Sequence, residues 1–174
     1  YQDQELGENA TGPMGFSGDD GRTSIFDYCS IPTLVRWYNN GNCGIQKLNN
    51  KERKIRAFYK KVLRLCNGEK AISEGAFFDL MYVNYHNLNP NKQYLYLRHY
   101  ENETLLIAVN FDSQEATVYA DIPQHAFDFL KIDSGTYFMK ELISGKQKTV
   151  EFSSNAKFEL HIPAHNGVVW KIVK

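Results

Sequence analysis

The chain has 174 residues, 43% of them hydrophobic, and 20 basic side chains balance 20 acidic ones. That length supports a sizeable core, and that composition excludes a disordered chain. A formal net charge of zero gives no electrostatic reason to seek nucleic acid or an acidic membrane, and no apolar run is long enough to span a bilayer.

Position 1 is Tyr rather than Met, and no signal-peptide pattern follows. The start is therefore expected to be a cleavage or segment boundary, with any targeting signal upstream. The compartment stays open among cytoplasm, periplasm and exterior. Up to about Gly44 the chain is rich in Gly, Asn, Asp and Pro, with turn signals at Gly12-Pro13 and Asp20-Gly21. Ser30-Ile31-Pro32 opens one short helix, with Pro32 in its first turn and an end near Asn39-Asn40-Gly41. Loops of this length inside a compact domain point to a functional region.

A clear helix follows over Lys51 to Cys66. Ile55, Phe58, Val62 and Leu65 recur on one face, with Lys54, Lys61 and Arg64 on the other. Asn50 is the expected N-cap, Glu52 suits the positive end of the helix dipole, and Gly68 suits a left-handed stop after Asn67.

From Ala71 the rhythm changes to strands. Candidates are 76–83, 93–100, 104–111, 117–122, 136–143, 148–153, 157–162 and 168–173, most of them bounded by turn chemistry such as Glu101-Asn102, Ser134-Gly135, Ser144-Gly145 and Asn166-Gly167. Gln124 to Leu130 breaks the pattern and reads as a short helical crossover. Phe158, Leu160 and Ile162 face one way, and so do Val168, Trp170 and Ile172. Thr104 to Phe111 is almost continuously apolar, as a central strand covered on both sides must be. The expected fold is mainly β: an antiparallel, Greek-key-like β-sandwich preceded by a loop-rich segment and one helix.

Cys29, Cys43 and Cys66 are an odd number, and their spacing fits no zinc pattern. They read as structural residues, Cys66 as a small hydrophobe on the helical stripe, with a Cys29–Cys43 bridge as an alternative. The His residues are scattered and show no metal-ligand spacing. His161 and His165 read as strand-end polar groups.

An ordered series of motifs carries a family likeness. Tyr1 to Glu8, containing Gln4-Glu5-Leu6-Gly7-Glu8, resembles the segment after the eighth barrel strand in the α-amylase family of glycoside hydrolases. Gly21-Arg22-Thr23 with Phe26-Asp27-Tyr28 is similar to the loop that follows. Arg56-Ala57-Phe58-Tyr59 and Leu63-Arg64-Leu65 resemble the eighth barrel helix. Ala71-Ile72 and Gly75-Ala76-Phe77 resemble the join to the C-terminal sandwich, and Leu105 to Phe111 resembles its central strand. The resemblance implies that residues 1–70 are the end of a (β/α)8 barrel and residues 71–174 a C-terminal all-β domain. The parent would be a retaining enzyme on α-glucosidic bonds in starch, maltooligosaccharides or related α-glucans. Such chemistry needs a nucleophilic carboxylate and a carboxylic acid about 5–5.5 Å apart. In the family these groups lie on earlier strands, and no Asp or Glu here matches their motifs. No catalytic residue is therefore assigned, and the chain alone is expected to be inert.

By the same resemblance Arg22 faces the pocket, where its guanidinium would either contact sugar or hold the loop in a salt bridge. Glu5 would orient a substrate group or brace the strand end; the structural role is favoured. Asp19, Asp20 and Asp27 invite a catalytic or calcium reading, but calcium-loop spacing is absent and turn formation and capping by Asp20 and Asp27 is favoured; calcium remains open for the parent, and no metal or cofactor is assigned to this chain. Tyr94, Tyr96 and Tyr100 share one face of one strand. They supply the rival reading, a non-catalytic carbohydrate-binding sandwich, against ordinary packing. The expected partners are an N-terminal catalytic barrel, its α-glucan substrate and, where the apolar helix face with Trp37 lacks a barrel, a second copy of the chain.

Overall fold

A computed structural model describes residues 3–8, 31–154 and 156–174. The chain divides into two compact units, residues 1–64 and residues 65–174.

In the first unit a 3-10 turn, Gln4–Leu6, precedes α1 (Pro32–Tyr38) and most of α2 (Asn50–Gly68), whose last four residues belong to the second. Pro32 sits in the first turn of α1, where its missing N–H costs nothing. The start of α2 differs from expectation by one residue. Asn49, not Asn50, is the cap: its Oδ1 accepts the Glu52 N–H at 3.0 Å, while Glu52 Oε2 accepts the Asn49 N–H at 2.9 Å. This reciprocal box satisfies two orphan donors at once. Glu52 also takes Arg36 Nε at 3.2 Å, so the carboxylate that was expected only to complement a dipole links α1 to α2. The hydrogen bond from Arg36 holds the Glu52 carboxyl below the usual range against the opposing effect of burial.

The end of α2 also differs. Gly68 remains helical and has no positive φ; the chain turns at Glu69, which is extended at φ −98° and ψ 109°. No apolar residue of α2 is fully buried, and Phe58 and Leu63 are exposed.

The second unit contains α3 (Lys70–Ser73), β1 (Ala76–Asp79), α4 (Met81–Asn84), β2 (Gln93–Tyr100), β3 (Glu103–Asn110), β4 (Ala116–Asp121), α5 (Gln124–Leu130), β5 (Gly135–Glu141), β6 (Gln147–Phe152), β7 (Lys157–Ile162) and β8 (Asn166–Val173). All strand pairs are antiparallel. One sheet has the order β1-β2-β3-β8-β5-β6; the other pairs β4 with β7. The chain leaves the large sheet after β3 and after β6 and returns each time, which places β8 between β3 and β5. This is the Greek-key-like sandwich that the strand pattern predicts. The predicted crossover over Gln124 to Leu130 is the helix α5.

One predicted strand is too long. It ends at Asp79, because the Asp79 carboxylate accepts the Met81 N–H at 2.8 Å and turns the chain into α4. The fully buried Asn84 then fixes α4 to β4: its amide donates to the Leu80 and Asp121 carbonyls, and its oxygen accepts the Asp121 N–H at 2.8 Å.

The core lies between the sheets. Leu95, Leu97, Leu106, Val168, Trp170 and Ile172 line it from the large sheet; Val118, Ala120, Phe158, Leu160 and Ile162 line it from the small one. Phe152 is its aromatic centre, with Phe127, Tyr137 and Phe158 at centroid distances of 5.0–5.5 Å. β3 is apolar on both faces because Leu105 and Ile107, with Val169, bury a second cluster under Ala71 on the outer side of the large sheet.

A polar clasp holds α3 on that outer side. Arg98 donates to the Ala71 and Ile72 carbonyls at 2.9 and 2.6 Å, Glu103 accepts the Ala71 N–H at 3.0 Å, and Lys171 donates to Glu69 and Glu103 at 2.6 and 3.2 Å. Burial disfavours the Lys171 charge, but the two carboxylates outweigh it and raise its pKa.

Candidate functional sites

The two residues expected on a sugar-facing rim fare differently. Arg22 lies outside the described residues, as do Asp19, Asp20, Asp27 and Cys29. Glu5 lies in the 3-10 turn with its side chain exposed. Its neighbours make the contacts instead. Glu8 Oε2 accepts the Thr33 hydroxyl at 2.8 Å and ties the turn to the start of α1. Asp3 is buried, and its Oδ2 has no hydrogen-bond partner among the described residues. Burial, and then the charges of Glu5 and Glu8, push its pKa up. Among the described residues no three His, Cys, Asp or Glu side chains are grouped to hold a metal ion. No helix among them is long and apolar enough to cross a membrane. Cys43 is an exposed free thiol and Cys66 a half-buried one, so Cys43 forms no bridge.

The second unit carries a concave surface of different character. On the outer face of the large sheet, the β2 side chains Tyr94 and Tyr96 stand with ring centroids 5.6 Å apart. Phe77 of β1 continues the row at 5.4 Å from Tyr96. Phe111, just past β3, closes the other end, anchored by its N–H to the Lys92 carbonyl at 2.8 Å. Between Tyr94, Tyr96, Val109 and Phe111 runs an open groove of about 370 Å³, with Asn91 and Lys92 on its rim. Phe111 is 68% exposed, Phe77 45% and Tyr94 37%. Burial, then Asp79 and Tyr85, raise the pKa of Tyr94.

Tyr94 and Tyr96 are thus brought together as the strand parity implies. Tyr100 shares the face but is separated from them and lies under the Lys70 ammonium at 5.4 Å. Phe77 and Phe111 escape a sequence reading, because they come from other strands. The signal was present in the two-residue turn at Glu101-Asn102: pairing Tyr100 with Glu103 fixes the register and puts Val109 opposite Tyr94.

A second concavity, of about 330 Å³, lies at the other end of the large sheet, where Lys148 sits 4.7 Å from the Trp170 ring centroid. Burial lowers the pKa of that lysine. Its polar wall is committed to structure, since Glu141 accepts the N–H groups of Ile143, Ser144 and Val169.

Fold and surface together define a class: an antiparallel β-sandwich preceded in the chain by a helical segment. No protein-family model matches the sequence, and no curated protein does. Solved structures do match the fold. The α-amylase GTA from Geobacillus thermoleovorans, complexed with acarbose, aligns over 90% of this chain and 27% of its own, with a TM-score of 0.53 and 16% identity. AmyP, in complex with maltose, aligns over 74% of this chain and 23% of its own, with a TM-score of 0.53 and 14% identity. The noncanonic maltogenic α-amylase AmyB from Thermotoga neapolitana aligns over 70% and 26%, with a TM-score of 0.50 and 16% identity. The chain therefore spans about a quarter of the length of the structures it matches. Its fold is that of the C-terminal portion of α-amylase-family glycoside hydrolases.

Proposed function

We propose that this chain is the C-terminal portion of a glycoside hydrolase acting on α-glucosidic bonds, and that its sandwich stabilises a catalytic (β/α)8 barrel which the chain does not itself contain. The observation that carries the reading is the alignment with the Geobacillus α-amylase over 90% of the chain, which spans helical lead-in and sandwich together. A free-standing sandwich has no need of that lead-in.

In this reading residues 1–70 complete the barrel and residues 71–174 form the sandwich. The partly exposed stripe of α2, with Phe58 and Val62, has the composition of a surface that packs on neighbouring barrel elements. By the family resemblance Arg22 would either offer a fixed fork of donors to sugar hydroxyls or hold its loop in a salt bridge, and Glu5 would brace the strand end or orient a substrate group. The nucleophile and acid of a retaining mechanism would be supplied by the barrel, so the isolated chain is inactive.

The test is expression of the chain together with the coding sequence that precedes Tyr1. The longer protein should hydrolyse or transfer α-linked glucosyl units from maltooligosaccharides with retention, and the chain alone should not. A longer protein without activity on any α-glucan, or turnover by the chain alone, would overturn the proposal.

A further inference from the structure

Two half-buried lysines of the large sheet are treated differently. Lys171 donates to Glu69 and Glu103, and the two carboxylates compensate for its lost hydration. Lys148, on β6, has no such pair. Among the described residues no carboxylate lies within ion-pair distance of its Nζ. Its hydrogen bond runs to the Glu159 backbone carbonyl at 3.3 Å, and its Nζ stands over the Trp170 ring at 4.7 Å. An ammonium has three N–H donors, so two have no hydrogen-bond acceptor among the described residues. Burial lowers the pKa of this lysine, and the charge of Glu159 opposes that only in part, as expected of a cation whose lost hydration is not replaced.

The amine lines a concavity of about 330 Å³, near the lower end of the roughly 300–1,000 Å³ that small-molecule sites occupy. Ile143, Pro163 and Val168 join Trp170 as its apolar wall. Asn166 also lines it. The side-chain oxygen of Asn166 accepts the Gly167 N–H at 2.8 Å, and its amide N–H groups have no acceptor among the described residues. The Glu141 carboxylate is turned to the N–H groups of Ile143, Ser144 and Val169, and that of Glu159 stays beyond ion-pair distance. The surface thus presents unused donors beside apolar area and leaves the acceptor to a ligand. A doubly charged oxyanion calls for several converging cations or backbone N–H groups. One ammonium beside aliphatic and indole surface fits a monoanion with an apolar body.

We propose that the concavity lined by Lys148, Asn166 and Trp170 binds a small organic monocarboxylate. The Lys148 ammonium and the Asn166 amide donate to the carboxylate, and the apolar body lies against Val168 and Pro163. The site belongs to the sandwich and uses no residue before β5, so it stands or falls apart from the glycosidase reading.

The experiment titrates the full 174-residue chain at pH 7 and constant ionic strength with sodium benzoate, benzamide and inorganic phosphate, recording amide chemical shifts. Benzoate should give saturable shifts confined to residues 143–148, 159–163 and 166–170. Benzamide, of the same shape without the charge, and phosphate, charged without the apolar body, should each bind at least tenfold more weakly. Lys148→Met should weaken benzoate binding by about tenfold to a hundredfold, the scale of one hydrogen bond to a charged group. Lys148→Arg, which keeps the charge, should bind within a few-fold of the parent. Equal affinity for benzoate and benzamide would overturn the proposal on the unaltered chain, whatever the folding of a variant. Absence of saturable shifts, phosphate bound as tightly as benzoate, or benzoate binding unimpaired by Lys148→Met would overturn it as well.

Discussion

Glu141, at the end of β5, is 2% exposed, and among the described residues no basic side chain is bonded to it. Burial alone would raise its pKa, yet the Ser144 hydroxyl, with the N–H groups of Val169, Ser144 and Ile143, outweighs burial and holds the carboxyl below the usual glutamate range. Those bonds close the β5–β6 turn and fasten it to β8. A depressed folded pKa means that the stabilisation is fully present above the ordinary glutamate value of about 4.3 and is lost as pH falls through the folded value. Glu141→Gln should cost about 2 kcal/mol at pH 7, the scale of hydrogen bonds to a charged acceptor. Urea unfolding across pH should show the gap from the parent closing in acid; a gap independent of pH would contradict this account. The Ser144-Gly145 turn is legible in the sequence. The role of Glu141 is not, because Val169 is far along the chain and meets it only once β8 is placed beside β5.

At the level of elements, the join between α3 and β1 depends on closeness that only one residue type permits. A Cβ on Gly75 would lie 2.4 Å from the Ala71 carbonyl oxygen and 2.7 Å from that of His99. Both are backbone atoms of elements held elsewhere, Ala71 by the clasp and His99 in β2, so neither yields cheaply. Gly75→Ala should therefore destabilise the chain by about 1–3 kcal/mol, as overpacking does, and hydrogen exchange should accelerate at residues 71–77 first. A neutral effect would show that α3 is loosely seated. Regular elements were largely readable: β7 falls where alternation puts it, and α5 where alternation fails. Two of the misplaced boundaries, the start of α2 and the end of β1, share one cause. Side chains of Asn49 and Asp79 accept from backbone N–H groups three and two residues ahead, respectively, and such local competition is invisible to hydrophobic periodicity.

For the molecule as a whole, residues 65–174 enclose the inter-sheet core and the clasp that binds α3 to the sheet. Expressed alone, they should unfold in a single transition, with fluorescence of Trp170 and far-ultraviolet circular dichroism coincident. Separate transitions would show that the sandwich depends on what precedes it. Replacing Arg98 by Met should leave that transition cooperative while freeing residues 69–73 to exchange, because the core between the sheets does not include the clasp.

The sequence by itself determined which segments are strands, which faces of β3, β7 and β8 are apolar, and that the molecule is a sandwich led in by helices, since alternation and turn chemistry are properties of neighbouring residues. The ordered motifs from Gln4 to Phe111 also carried its likeness to α-amylase-family enzymes. Tertiary structure alone decided that β8 lies between β3 and β5, that Glu52 joins α1 to α2, and that Phe77, Tyr94, Tyr96 and Phe111 meet in one groove. Each of these joins residues distant in sequence, and strand order, which no local pattern encodes, is what brings such residues within contact distance.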